Sequence, residues 1–452
     1  MNVAVIGVGY VGLTTALSLA YIGHDVIGID SDSEKIRILS EARSPIHEIG
    51  LETFLSELKN SIRFTTNMKD SVGNSEIIII SVGTPPKPNG DADIKHVESV
   101  AREIACSLLE GRKYVIVTKS TVPIGTYRRL THMVKRTLTE RNLSASVYIG
   151  SNPEFLREGM ALRDTLYPDR IIVGAEQQEA VDVIRRLYRP ILEQTFSSPS
   201  FLPRPEGFAL PPLITTDPTS AEMIKYAANS YLALKISFIN EFAGLCERVG
   251  ADVTEVARGI GMDPRIGPRF LQAGLGWGGS CFPKDTSAIL ALASYYGYNM
   301  PVVEAARQVN NRQRQVVIEK LQMALKVLRG RTIAILGIAF KPETDDLRDA
   351  PSLDIINALL ELGAHVRVHD PVALDNAREV FQGLEIDFVK DPYDVADACD
   401  AVVLVTEWKV YQQIDLTKLA ARMRNPVLVD GRNIYNPLNA KSAGFLYLGI
   451  GR

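Results

Sequence analysis

The sequence predicts an α/β chain in which two doubly wound units are joined by a central helical segment with one long helix. Three observations carry this. Strand and helix signals alternate from the first residues, the pattern of parallel sheets covered by helices. A Pro- and Ser-rich stretch and a helical run of about thirty residues interrupt the alternation in the middle of the chain. Near residue 330 the alternation restarts with segments that echo the first set.

Val3–Gly7 is a continuous apolar strand, and Gly12 to Ile22 reads as a helix that offers Ala16, Leu17, Leu19 and Ala20 for packing. Asp25–Asp30, Glu76–Gly83, Lys113–Thr121 and Val147–Phe155 are further strands. Residues 196–218, "FSSPSFLPRPEGFALPPLITTDP", read as a surface loop or linker. The long helix runs from Thr219 to about Val249, capped by Thr219 or Ser220 with Glu222 in its first turn, and is long enough to bridge two domains. Gly330–Phe340 contains a strand that ends at a glycine, Pro351 to Leu362 is a helix, and strands follow at His365–Asp370, Asp400–Trp408 and Pro426–Asn433. The expected domains are residues 1–196, a loop at 197–218, a helical domain at 219–325 and a second α/β domain at 326–452.

The first strand runs into Gly7-Val8-Gly9-Tyr10-Val11-Gly12, a full G-x-G-x-x-G. Alone that match is weak. Here a strand precedes it, a helix follows, and Asp30 ends the next strand. Gly7 makes the tight turn, Gly9 lets the backbone approach a pyrophosphate, and Gly12 lets helix pack on strand. The helix N-terminus offers free N–H groups to the anion. Asp30 can accept from a ribose 2′-OH and would repel a 2′-phosphate, so NAD is expected over NADP. The fold class is therefore two Rossmann-like doubly wound domains joined by a central helical domain.

The second unit lacks this fingerprint. After Gly337 comes "IAFKPETDDLRDAPS", a longer polar loop at the C-terminal end of a strand. Lys341 suits a phosphate or carboxylate and Arg348 a pyrophosphate, but on spacing alone a solvated charged loop is equally open. Two such units with different loops suggest two different nucleotide-like ligands.

On the long helix, Lys225 and Asn229 stand at i and i+4, one face available to one ligand, although a helical lysine is more often solvated. Cys281 lies in "GLGWGGSCFPKD", at or one residue before the start of a helix. Pro283 suits a first turn. The helix N-terminus and Lys284 would both favour a thiolate, and the flanking glycines keep the backbone open. Packing filler and nucleophile are both open for Cys281 at this point, whereas Cys106, Cys246 and Cys399 read as filler.

Composition narrows the function. A formal charge of −3 gives no basic field for nucleic acid or an anionic membrane. The four cysteines are widely spaced and form no CxxC pair, which argues for a reducing compartment and against a disulfide framework or zinc site. The strand at the very start leaves no room for a signal peptide, and no apolar run approaches the roughly 18 residues a span needs. A cytoplasmic protein without a metal is expected.

The motifs "GVGYVG", "VGTPP" (Val82–Pro86), "KSTVPIGT" (Lys119–Thr126), "NPEFLREG" (Asn152–Gly159), "EMIKYAAN" (Glu222–Asn229), "GWGGSCFPKD" (Gly276–Asp285), "FKPETDDLRDAPS" (Phe340–Ser352) and "DGRNIY" (Asp430–Tyr435) occur in order across nearly the whole chain. With them the sequence resembles the UDP-glucose 6-dehydrogenases within the UDP-glucose/GDP-mannose dehydrogenase family. The resemblance implies oxidation of the C6 alcohol of UDP-glucose to a carboxylate in two NAD-dependent steps. Cys281 would hold the aldehyde as a thiohemiacetal and then as a thioester. It implies catalytic roles for Lys225, Asn229, Asp285, Glu154 and Thr121. It places Gly7, Gly9, Tyr10, Val11, Gly12, Asp30, Lys35, Thr84, Thr121, Glu158, Lys284 and Arg348 on the cofactor. Glu154, Phe155, Leu156, Lys225, Asn229, Phe270, Leu271, Gln272, Ala273, Gly274, Gly278 and Lys341 would meet the nucleotide sugar. Arg265 would enter a neighbouring subunit's site, implying a homodimer built on the central helices. Trp277 stands where many members have Phe or Tyr, and the segment near 197–215 is longer than usual, suggesting a lid, an interface element or an inert insertion. Rival readings are the same chemistry on a UDP-N-acetylhexosamine or GDP-mannose, a single-step hydroxyacid dehydrogenase, and a non-catalytic nucleotide-sugar binder.

Overall fold

In the computed structural model, which describes residues 1–452, the alternation of apolar residues builds two cores from one sheet. β1 (Asn2–Ile6) sends Val3 and Val5 to one face and Ala4 and Ile6 to the other. The next element, β2 (Asp25–Ile29), pairs with β1 in parallel, and β3 (Ile62–Thr65) with β2. β4 (Ile77–Ile80), four isoleucines, divides in the same way: Ile77 and Ile79 on the first face, Ile78 and Ile80 on the second. A strand buried on both faces needs no polar alternation, which is why this one is continuously apolar. β5 (Lys113–Thr118), β6 (Ser146–Ser151), β7 (Ile171–Ala175) and β8 (Leu213–Thr216) complete the order β3-β2-β1-β4-β5-β6-β7-β8.

The chain forms two compact units, residues 1–227 and 228–452. In the second, β9 (Thr332–Leu336), β10 (His365–His369), β11 (Ile386–Phe388), β12 (Ala401–Leu404), β13 (Val427–Asp430) and β14 (Leu446–Gly449) form an all-parallel sheet in the order β11-β10-β9-β12-β13-β14. That is the order of the first six strands of the first unit, so the repeat read in the sequence is a repeat of topology. Ile239, Ala243 and Cys246 of the long helix and Val317 and Leu321 of helix Pro301–Leu325 share one core with this sheet.

Four expectations need correction. The first sheet is not wholly parallel, because β7 runs antiparallel to β6, with Gly150 opposite Ala175. Their connection holds only the six-residue helix Ala161–Leu166 and stays at one end of the sheet, which keeps Asn152–Glu158 beside the C-terminal ends of the strands. Second, residues 196–212 are the surface loop that composition suggests, but a packed one and not a free linker. Phe196 stacks on Tyr167, Phe201 meets Phe54 edge-on, Phe208 packs on Tyr167, and the segment runs on into the edge strand β8. Third, the long helix begins at Pro218, and its cap is Asp217, whose carboxylate accepts the Ser220 N–H at 2.9 Å. Fourth, Cys246 and Cys399 are buried filler, but Cys106 is exposed on helix Lys95–Ser107. No helix is long and apolar enough to cross a membrane.

Candidate active site

In the first unit, Gly7 turns the chain out of β1 with φ +87°. A Cβ on Gly12 would lie 1.8 Å from the Gly7 carbonyl, so only glycine lets the helix start there. A Cβ on Gly9 would meet nothing within 4 Å. Gly12 thus serves the fold, while Gly9 leaves its open side to a ligand. Helix Tyr10–Tyr21 has no side-chain cap, so its N-terminus keeps N–H groups for an anion. Asp30 accepts the Val8 N–H at 3.0 Å and pairs with Lys35 at 3.1 Å. These features fit a dinucleotide: a glycine turn, an uncapped helix start and a carboxylate at the end of β2.

Several other predicted residues gather around this turn. Tyr10 Oη lies 2.6 Å from Glu48 Oε2 and accepts the Gly159 N–H at 2.6 Å, tying the segment with Glu158 to the fingerprint helix. Burial, then the Glu48 hydrogen bond, pushes the Tyr10 phenol well above its ordinary range, so it stays protonated. Thr84 donates to the Thr121 carbonyl at 2.8 Å, which joins the loops after β4 and β5.

The buried pair Glu154–Lys225 lies in the same unit, with Nζ 2.8 Å from Oε1. Glu154 also accepts the Leu156 N–H at 2.8 Å. Burial alone would raise the Glu154 carboxyl, but Lys225 and the Leu156 N–H outweigh it and hold the group below the usual range. The Phe155 ring lies beneath the Arg170 guanidinium at 3.8 Å, and Lys225 Nζ is 5.3 Å from its centre. The pair can store a carboxylate and an ammonium away from water, ready to exchange protons with a bound group.

In the second unit Cys281 is the N-cap of helix Phe282–Tyr295, with Pro283 in its first turn. Its Sγ lies 3.5 Å from Ser280 Oγ. One turn on, Asp285 is 1% exposed and takes two charge-assisted bonds, from Asn229 Nδ2 at 2.6 Å and from Lys284 Nζ at 2.5 Å. Lys284 therefore answers Asp285 directly. The glycine run before the cysteine rests on the "FKPETDDLRDAPS" loop: Gly279 N–H donates to the Arg348 carbonyl at 2.8 Å, and a Cβ on Gly278 would lie 2.2 Å from the Asp349 carbonyl oxygen. Gly278, expected to make room for a sugar, first makes room for this backbone. Trp277 is buried in the protein, with its backbone held on both sides by Asn310 and its indole N–H on Ser237.

A family profile described as the NAD binding domain of the UDP-glucose/GDP-mannose dehydrogenase family matches residues 1–192. Profiles for that family's central domain and UDP binding domain match residues 219–312 and 334–437. The chain belongs to the UDP-glucose/GDP-mannose dehydrogenase family. It is an NAD-dependent oxidoreductase. A UDP-glucose 6-dehydrogenase of Rhizobium meliloti is 43% identical over 100% of both chains. The UDP-glucose 6-dehydrogenase TuaD of Bacillus subtilis is 42% identical over 100% of this chain and 93% of its own. Among solved structures, a UDP-glucose dehydrogenase from Pyrobaculum islandicum superposes with a TM-score of 0.87 at 36% identity, covering 99% of this chain and 97% of that one. A UDP-D-ManNAc dehydrogenase from Pyrococcus horikoshii gives 0.84 at 27%, covering 100% and 99%.

The remaining predicted residues of the family's substrate side lie in the second unit. Leu271, Ala273 and Gly274 are buried, and Phe270 takes φ +65°, uncommon for a side chain of that size. Gln272 is exposed, its amide on the Pro268 carbonyl. The Lys341 ammonium is 5.6 Å from the Phe340 ring centre, and Arg348 pairs with Asp346 at 2.7 Å. Arg265 is exposed on a turn and pairs with Asp263 at 2.6 Å. Sequence reasoning passed over Glu48, Asn310 and Arg314, which hold site segments through contacts distant in the chain. Arg314 donates to the carbonyls of both Trp277 and Asp349.

Proposed function

We propose that this chain oxidises UDP-glucose at C6 to UDP-glucuronate, with Cys281 as covalent nucleophile. The observation that carries the mechanism is the partly exposed Cys281 at a helix N-cap, backed by the buried Asn229–Asp285–Lys284 network. NAD, when bound, accepts the electron pair and hydrogen of each oxidation, so two are consumed per sugar. The Cys281 thiolate adds to the C6 aldehyde and forms a C–S bond, giving a thiohemiacetal whose oxidation leaves a thioester. Water then attacks the carbonyl, the C–S bond breaks, and the carboxylate and thiol are released. Lys225 and Asn229, one turn apart on one helix, stabilise oxyanionic states near C6. Asp285 moves protons and activates water, Glu154 serves as acid/base in thioester hydrolysis, and Thr121 orders water or cofactor nearby. Phe270–Gly274, Gly278 and Lys341 hold the nucleotide sugar, and Lys35, Thr84, Glu158, Lys284 and Arg348 complete the cofactor contacts. We assign cofactor binding to residues 1–196, dimerisation and the cysteine to 219–325, and UDP-sugar binding to 326–452.

Purified enzyme given UDP-glucose, a UDP-N-acetylhexosamine or GDP-mannose tests this reading. Two NADH per UDP-glucose, with that sugar turned over fastest, is the expected result. One NADH per turnover would sink the mechanism, and a faster N-acetylhexosamine would move the substrate to that of the Pyrococcus horikoshii relative. A homodimer belongs to the same proposal. Tyr231, Phe238, Phe242, Leu245 and Val249 are exposed large apolar residues at helical spacing on the long helix, the stripe a second copy would cover. A cytoplasmic location fits four cysteines that form no disulfide.

A further inference from the structure

Glu222 was expected to serve its own helix from the first turn. Instead its carboxylate reaches another element: Oε2 accepts the Gly125 N–H at 2.6 Å and Oε1 the Tyr127 N–H at 2.8 Å. Gly125 is the N-cap of helix Thr126–Glu140, has φ +95°, and offers no side chain of its own to close that helix. Glu222 therefore satisfies two of its orphan donors from outside, a role that local sequence normally fills. Glu222 is 3% exposed and Tyr127 is buried with it, while Gly125 is half-buried.

The position of this clamp gives it a consequence for chemistry. The held segment begins at Thr121, whose carbonyl takes the Thr84 hydroxyl, so the clamp fixes both loops after β4 and β5. On the other side, Lys225 is three residues further along the helix that carries Glu222, and it is paired with Glu154. One buried carboxylate thus joins the loop with Thr121 to the helical turn with Lys225.

We propose that Glu222 is a positioning residue, which sets the Thr121 loop against Lys225 by accepting the Gly125 and Tyr127 N–H groups. This rests on the catalytic roles proposed above for Thr121 and Lys225. Glu222 touches neither substrate nor cofactor in this scheme; it acts through the backbone it holds.

The test compares full-length wild type, Glu222→Gln and Glu222→Ala. Rates are measured against UDP-glucose and NAD and normalised to folded protein, and amide exchange is followed in residues 121–127. Glu222→Ala should lower kcat about tenfold while the KM for UDP-glucose stays within twofold. Glu222→Gln keeps one acceptor oxygen and should recover part of the loss. Exchange at residues 125–127 should accelerate in the same order. If kcat per folded molecule is unchanged in Glu222→Ala, the residue is only a structural cap and the proposal fails. Unchanged exchange overturns the clamp itself. A wild type inactive on UDP-glucose refutes the proposed reaction, and with it the catalytic half of this proposal, while the exchange result still decides the clamp.

Discussion

Asp30 and Asp370 directly follow β2 and β10, and each accepts the N–H of the residue after the glycine that follows β1 or β9, Val8 at 3.0 Å and Ile338 at 2.7 Å. The glycines match too: Gly7 and Gly337 both have positive φ, and both donate to the residue before the aspartate. The surroundings differ. Asp370 also accepts from Ala339, Val372, Ala373 and the Trp408 indole, and is 1% exposed. In the second unit the carboxylate that could meet a ribose is consumed by the protein. This gives a physical reason for one fold to serve NAD in the first unit and not in the second.

The two aspartates should therefore respond differently to substitution. Asp30→Ala removes a charged acceptor from the cofactor and should weaken NAD by roughly 10- to 100-fold, a charged hydrogen bond being worth about 1.5–3 kcal/mol. It also gives up the Val8 and Asp32 N–H groups and the Lys35 pair, so its melting temperature should fall, but by less than that of Asp370→Ala. Asp370→Ala orphans several buried donors and should cost at least about 3 kcal/mol of stability. NAD titration and thermal melts of both variants check this; equal loss of NAD affinity in both would refute the distinction.

Gly9 and Gly278 make a second contrast. Gly9→Ala meets no protein atom within 4 Å, so the fold should tolerate it while NAD affinity falls. Gly278→Ala drives a Cβ into the Asp349 carbonyl, and overpacking of this kind costs about 1–3 kcal/mol. The cysteine loop should shift with it. A Gly9→Ala protein that binds NAD normally would show that no ligand approaches that face.

Cys281→Ser should abolish complete four-electron turnover, leaving less than about one-thousandth of the wild-type rate, because a serine hydroxyl is a far weaker nucleophile than a thiolate. Asn229→Ala removes one of the two bonds to buried Asp285, at a cost of about 1–3 kcal/mol, and should lower kcat as well. Rapid-quench mass spectrometry should trap a sugar adduct on Cys281 in the wild type. Normal turnover by Cys281→Ser would end the covalent scheme.

Glu222 should make stability depend on pH. Burial pushes its carboxyl up to about 7, against the pull of the Tyr127 and Gly125 N–H groups and Arg128, with Asp217 adding to the rise. Between its ordinary value of 4.5 and about 7, the folded chain keeps a proton that the unfolded chain has lost. The unfolded state then binds fewer protons, so stability falls as pH rises through that window. The effect should be on the order of 2 kcal/mol. Melting curves of wild type against Glu222→Gln from pH 5 to 8 read it directly, and a wild type that gains relative to Gln as pH rises contradicts it.

The chain's local chemistry was enough to determine a good part of this protein. The alternation around β1 and β4, the glycine fingerprint, the long helix and the placement of Cys281 one residue before Phe282 all follow from neighbours within a few positions, because turns, caps and side-chain periodicity are short-range. Partner choice across the chain was not legible. Nothing in the residues near Glu222 points to Gly125 and Tyr127, nothing near Asp285 names Asn229, and nothing around Asp370 says that Trp408 will enclose it. The strands β3, β8, β11 and β14 escaped because they are the edge strands of the two sheets, partly exposed and without the continuous apolar run that marks β4 or β12, and the direction of β7 is set by its sheet neighbours and not by its own residues. Only the tertiary structure decided which carboxylates face a ligand and which are spent holding the backbone, since burial and hydrogen-bond satisfaction are set by residues that meet after the chain has folded.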